Sequence, residues 1–412
     1  MRGHPMTAID AQFYWMSTKI PSDQFLLYAF AGVPADFDAA VADVLDRARA
    51  STDLTLRVED TCRLRYPQWV PGLDHVGATT HRAPGDSWAG CLDAVVRLAD
   101  DQLDVRVAPW RLHLFAPVDG IPGHGGAGTV AVLQVAHALA DGGRSSALAA
   151  WLFGRDAPVA AVGAPVRGFL PWRAVVAARA HRSRVEDTRA GLLPPPAGDR
   201  PPLATNTRPA GARAVRTLVR RRSELGGPTV TVAVLSAVSA ALAEYLDEPC
   251  DALGAEVPMA KAGVRQANNH FANIPVGLYP QYDRRVRAER ILSDVAGGRL
   301  RARHRASVAA DKAFAKTPAA LLRWGVEQFD AQIRPVRVAG NTVVSSVHRG
   351  AADLRFGMSP VVLTAGFPAL SPAIGLTHGV HGIGETVAIS VHAAESAVSD
   401  IDVYLRLLDA AL

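Results

Sequence analysis

The chain has 412 residues, 49% of them hydrophobic and 20% charged, with a net charge of +5 at pH 7. That length exceeds one ordinary core and points to two domains, and the composition excludes a disordered or fibrous chain. The charge excess is carried by arginine, since the only lysines are Lys19, Lys261, Lys312 and Lys316, and its scatter gives no nucleic-acid footprint.

Two arginine clusters, residues 216–224 and 299–305, read as solvated faces or as contacts for an anionic partner such as a phosphate or lipid headgroup. Cys62, Cys91 and Cys250 form neither a CxxC pair nor an even framework, which fits a reducing compartment. No signal-peptide core opens the chain, and no apolar run reaches the roughly 18–20 residues that span a bilayer. The expected location is cytoplasmic, with membrane contact from one side at most.

In chain order, residues 36–51 have helical apolar spacing, acidic residues early and arginines late, which suits the helix dipole. Residues 54–70 alternate like one or two strands, and 87–104 read as an amphipathic helix. Strands are expected over 110–118 and 128–138, joined by the glycine-rich loop 120–128. That loop lies between two strands rather than between strand and helix, so it reads as a hairpin and not as a phosphate cradle. A helix over 146–154 stops at Gly154.

Residues 186–213 carry Pro194, Pro195, Pro196, Pro201 and Pro202 and read as an extended linker. It divides the chain into a first domain, 1–185, and a second, 214–412. The second opens with a strand from 213 and a long apolar helix over 229–246. A strand over 251–261, a helix over 290–305, strands over 338–348 and 384–393, and a final helix capped by Ser399 follow. Strands and helices mixed in each half indicate an α+β fold with mixed or antiparallel sheets, not a doubly wound parallel sheet.

The chemistry concentrates in "VAHALADGG", residues 135–143. A catalytic histidine must be reachable and held in one tautomer, and His137 stands where the backbone leaves a strand. Asp141 is placed to orient a partner or to lock the loop, and Gly142 and Gly143 permit backbone angles closed to other residues. No G-x-S-x-G elbow or cysteine lies nearby, so the histidine would act as base on the substrate's own nucleophile.

"HALADGG" resembles the His-His-x-x-x-Asp-Gly motif of acyl-CoA-dependent acyltransferases with the chloramphenicol acetyltransferase fold, and within them the bacterial wax ester synthase/diacylglycerol acyltransferase family. Residues 8–16 resemble that family's Asp-Ala-x-Phe segment, and 102–115 its Leu-Asp-x-x-x-Pro-Leu-Trp element. Residues 229–246, 255–260 and 268–280 resemble its helix after the linker, its Val-Pro-Val-Ser strand and its Gly-Asn segment. Three positions depart from the pattern. Ala136 replaces the first histidine, Thr231-Val232 an Asn-Asp pair, and Ala262 an arginine, with Lys261 beside it and Arg265 further on.

The resemblance implies two chloramphenicol-acetyltransferase-like domains with an active-site channel between them. It implies His137 as general base and Asp141 as a loop anchor held through an arginine. Asn269, Asn273 and the amides near Gly142 and Gly143 become candidate oxyanion donors, and His270 and Asn273 candidate substrate contacts. The co-substrate would be acyl-CoA, or an acyl carrier protein thioester, with no metal and no permanently bound cofactor. The acceptor would bear a hydroxyl, as in a lipid alcohol or diacylglycerol, with peripheral contact to a membrane or lipid droplet. Two other readings stay open: a condensation enzyme of natural-product or cell-envelope lipid synthesis, and a non-catalytic binding relative.

His378 and His381 have His-x-x-His spacing but no third ligand, and read as loop residues or as channel lining rather than a metal site. Phe13, Tyr14 and Trp15 read as packing residues or as the wall of an acyl tunnel.

Overall fold

A computed structural model describes residues 3–72, 77–81, 86–246 and 252–412; Cys250 lies outside them. Its frame is two six-stranded sheets with a three-stranded sheet at one side. The first sheet runs Arg355–Phe356, Ser359–Gly366, Gln24–Ala31, Gly128–Val135, Trp110–Val118, Ala78–His81. All its neighbours are antiparallel except the last pair. The second runs Phe271–Gly277, Gly254–Ala260, Thr342–His348, Leu376–Ile383, Thr386–Ala394, Arg213–Arg221, and is mixed. The expected α+β architecture with mixed and antiparallel sheets is therefore the observed one.

The strand Gln24–Ala31, which sequence periodicity did not assign, is central to the first sheet. Its six interior residues are all buried. Leu26, Tyr28 and Phe30 enter one core with the helices Phe37–Ala50 and Gly142–Leu152. Phe25, Leu27 and Ala29 enter another, with the helix Trp88–Leu98 and with Val215 and Ala388 of the second half. Covered on both faces, the strand has no reason to alternate apolar with polar residues.

In the second sheet Val257, Ile274, Val344, Val380 and Ile389 share one core with residues of the helices Val230–Leu246, Arg284–Arg303 and Ile401–Ala411. One strand ties the halves together. The strand Ser359–Gly366 leaves the second half and pairs with Gln24–Ala31, Leu363 opposite Ala29. At its end Gly366 meets Gly379 so closely that a Cβ on Gly379 would overlap the Gly366 carbonyl oxygen. Gly379→Ala is therefore expected to cost about 1–3 kcal/mol, read as a lower denaturation midpoint. Gly325→Ala, at an exposed position of a helix with open space around it, should leave the midpoint unchanged or raise it.

Several expectations are corrected. The helix expected over 87–104 ends at Leu98, because the following residues fix a turn instead. Gln102 Oε1 accepts from the Ser22 and Asp23 amides, and Asp23 accepts from the Leu103 amide. The helix expected over 146–154 already begins at Gly142, capped by Asp141. The last helix is capped by Asp400, which accepts from the Asp402 and Val403 amides, while Ser399 bonds the Tyr245 hydroxyl.

The boundary expected at 185 falls inside a twenty-residue helix, Leu170–Arg189, and residues 355–366 of the second part join the first sheet. Within 186–213 the chain docks on the second half: Arg200 bridges Val338, and the Asn206 amide nitrogen donates to the Gly340 and Ala373 carbonyls. His378 and His381 lie on a buried strand, not a loop. His378 bonds the Thr342 and Tyr404 hydroxyls, each through one ring nitrogen. No helix among the described residues is long and apolar enough to cross a membrane.

Candidate active site

The strand Gly128–Val135 ends two residues before His137, and the helix Gly142–Leu152 begins five residues after it. The short loop between them is tied down at each step. The Ala136 amide donates to the Pro109 carbonyl, the Gln24 side-chain amide to the Ala140 carbonyl, and the Asp141 amide to the Asn268 carbonyl. Ala136, where a first motif histidine was expected from the resemblance, is buried in the first core.

Asp141 is the hub of this loop. Its Oδ1 accepts from the Arg144 amide at 2.9 Å, which caps the helix. Its Oδ2 accepts from Arg265 Nη1 at 2.8 Å and from the His270 amide at 2.8 Å. Burial alone would raise this carboxyl, but Arg265 and the two amides bring it below the usual carboxylate value. Arg265 also donates to the Asn268 carbonyl at 2.7 Å. The Asp141–Arg265 pair thus staples the loop of the first half to residues 265–270 of the second.

A second buried carboxylate grips the same segment from the other side. Thr7 caps the helix Ala8–Met16, whose first turns place Asp10 and Phe13 three residues apart on one face. Asp10 accepts from the Asn268 amide at 3.0 Å, the Asn269 amide at 2.9 Å, the Asn269 side-chain amide at 2.9 Å and the Thr7 hydroxyl at 2.8 Å. Burial pushes its pKa up, and these donors oppose the rise.

Asn269 then fixes the histidine. Its Nδ2 donates to Asp10 Oδ1 and to the His137 carbonyl at 2.7 Å, two acceptors that only the NH₂ group satisfies. Its Oδ1 therefore faces His137 Nδ1, 2.8 Å away, and that ring nitrogen must carry the proton. Nε2 is left with its lone pair and, among the described residues, no hydrogen bond. The ring stacks on Phe13 with centroids 4.1 Å apart and planes 5° apart, and lies 5.7 Å from Phe271. Burial lowers the His137 pKa, so the imidazole is neutral. A neutral imidazole locked as the Nδ1–H tautomer keeps the Nε2 lone pair that a general base requires.

The structure brings His137, Asp141, Gly142, Gly143, Asn269 and the backbone of His270 together, but reassigns several. Asp141, expected to orient a partner or to lock the loop, makes no hydrogen bond to His137 and instead bonds Arg144, Arg265 and His270. Gly142 and Gly143 have no positive φ; they begin the helix, and a Cβ on either would make only ordinary contacts, Val347 lying 3.7 Å from one on Gly142. Asn269 is not free as an oxyanion donor, since both amide hydrogens are engaged. Asn273 sits on the strand Phe271–Gly277 and donates to Glu256 at 3.1 Å. The His270 ring accepts from the Gln266 amide and makes no hydrogen bond to His137. Asp10 was not named as a site residue, and Phe13 was expected only as packing or as the wall of an acyl tunnel. Their sequence signal is the Asp-Ala-x-Phe segment that residues 8–16 resemble, of which they are the Asp and the Phe.

No protein-family model and no curated protein matches the sequence. Among solved structures, the chain is similar to the wax ester synthase/diacylglycerol acyltransferase from Marinobacter aquaeolei VT8. That similarity has 18% identity and a TM-score of 0.64, covering 99% of this chain and 98% of the other. It is also similar to a mutant starter condensation domain of rhizomide synthetase solved with C8-CoA and Leu-SNAC. There the identity is 15% and the TM-score 0.59, over 99% of this chain and 93% of that one. A third likeness is to the nonribosomal peptide synthetase FmoA3, at 17% identity and TM-score 0.54, over 99% of this chain and 42% of that one. The chain has the two-part fold of these structures.

Proposed function

We propose that the protein is an acyltransferase in which His137 Nε2 serves as general base, moving an acyl group from a CoA thioester to a hydroxyl acceptor. The observation that carries this is the relay Asp10–Asn269–His137, which leaves one ring nitrogen unprotonated and open at the junction of the two halves. The fold supports it, being shared with an acyltransferase and with a condensation domain bound to C8-CoA.

In the proposed reaction Nε2 takes the acceptor's hydroxyl proton as the oxygen attacks the thioester carbonyl. The tetrahedral intermediate collapses, its carbon–sulfur bond breaks, and the imidazolium returns the proton to the departing thiolate. With Asn269 and Asn273 committed elsewhere, the first amides of the helix at Gly142 and Gly143 are the remaining candidates for the oxyanion, favoured by the helix dipole.

The test is acyl-CoA of graded chain length incubated with lipid alcohols, diacylglycerol and amines, reading free thiol and products by mass spectrometry. Acceptor-dependent thiol release with an ester product supports the reading. Release only from a carrier-protein thioester moves the protein to condensation chemistry, and no release at all leaves a binding protein. Because the base works deprotonated and burial lowers its pKa, kcat/KM should stay level through neutrality. Its acid limb should fall below the ordinary histidine value; a limb centred above that value would contradict the burial argument.

A further inference from the structure

A cavity of about 210 Å³ lies between the halves, separate from the His137 loop. Its wall is apolar, formed by Phe25 and Val95 of the first half and Val215, Phe367 and Leu370 of the second. The turn beside it is held rigidly by Gln102 and Asp23, so the space is formed before any ligand arrives.

Asp23, Gln102 and Ser371 also line it, the Asp23 carboxyl accepting from the Leu103 amide and the Gln134 side chain, and two further polar features break this wall. One is His392, buried on the strand Thr386–Ala394. Val387, Ile389, Val391 and Ala393 of that strand face the second core, so His392 belongs to the opposite face, with Ala388, toward the cavity. Its Nδ1 lies 3.0 Å from the Pro368 carbonyl, which only accepts, so Nδ1 carries the proton. Its Nε2 is an acceptor, and among the described residues it has no partner. Burial brings the His392 pKa down to about 4, which keeps the ring neutral. A buried acceptor without a donor is costly, so the site asks for an incoming O–H or N–H.

The other feature is the rim. Lys19 donates to the carbonyls of Glu327 and Phe329, and Arg208 to the Gln332 side chain. Among the described residues neither cation is paired with a carboxylate. Arg213, also at the rim, is already neutralised by Asp100. The rim therefore carries uncompensated positive charge beside an apolar chamber.

We propose that this cavity binds a medium-chain hydroxy acid. The chain fills the Phe25–Leu370 wall, the carboxylate meets Lys19 and Arg208, and the hydroxyl donates to His392 Nε2. This goes beyond the acyl-transfer reading and does not depend on it, because binding alone tests it.

Octanoate and its 2-, 3- and 4-hydroxy isomers are titrated calorimetrically into the full chain, its His392→Phe variant and its Arg208→Gln variant. One hydroxy isomer should bind the wild type about tenfold or more tightly than octanoate, as expected where a polar group would otherwise stay unpaired. His392→Phe should remove that preference, and Arg208→Gln should weaken all the acids but not the methyl ester of the preferred isomer. Should His392→Phe fail to fold, the His392 Nε2 resonance of labelled wild type must shift with the hydroxy acid and not with octanoate. No binding of any acid, or equal binding of all four with an unmoved resonance, overturns the proposal.

Discussion

His137→Ala is expected to lower acyl-transfer turnover about 10²–10⁴-fold while leaving the fold intact, the range a positioned general base contributes. The ring is half-buried and stacked on Phe13, but no other residue depends on it for a charge partner. Its removal frees one face of Phe13 and one lone pair of Asn269, which water entering the loop can satisfy. Thermal midpoint and circular dichroism should therefore match wild type closely. Equal thiol release by the two proteins would sink the general-base reading. A lost activity that tracks a lost midpoint would reassign His137 to structure.

The largest stability effect is expected from Arg265→Ala. Its guanidinium is the only cation paired with Asp141 among the described residues, and both side chains are mostly buried. Removing one partner leaves a buried carboxylate uncompensated, at a cost of about 3–5 kcal/mol. The pH dependence has a definite sign. Asp141 is held below its ordinary value in the folded protein, so the stability it contributes is present above the unfolded carboxylate pKa. That contribution is lost as pH falls through the folded pKa. In the variant, burial instead favours the protonated acid. The gap between wild type and Arg265→Ala should therefore be widest near neutrality and close on acidification. A gap independent of pH would mean that the arginine acts through packing alone. Arg265→Lys restores charge but not the two-pronged contact, and should fall between them.

The sequence made His137 and Asp141 legible because their chemistry is local, a histidine and a carboxylate four residues apart around one turn. Arg265 stood out only as a displaced arginine, and the fold shows why displacement is tolerated. Its long side chain reaches Asp141 from beyond Ala262 while also bonding the Asn268 carbonyl. Asn269 was visible as a candidate, but its role was not, since a side-chain amide declares itself only through its partners. Asp10 and Phe13 were visible only as the ends of the Asp-Ala-x-Phe segment; their contacts with Asn269 and His137 join distant parts of the chain, and no spacing rule reports such contacts. The strand Gln24–Ala31 was lost for another reason: covered on both sides, it shows neither strand nor helix period.

The insertion of Ser359–Gly366 beside Gln24–Ala31 bears on how the chain is made. Until the ribosome has delivered residue 366, the strand QFLLYAFA has one edge without its neighbour. An apolar strand with open backbone donors and acceptors is a template for pairing with other chains. Synthesis therefore passes through a long interval in which the first half is nearly complete yet unsealed. Nascent chains released before residue 366 should aggregate, and expressing residues 1–213 alone would recreate that hazard permanently.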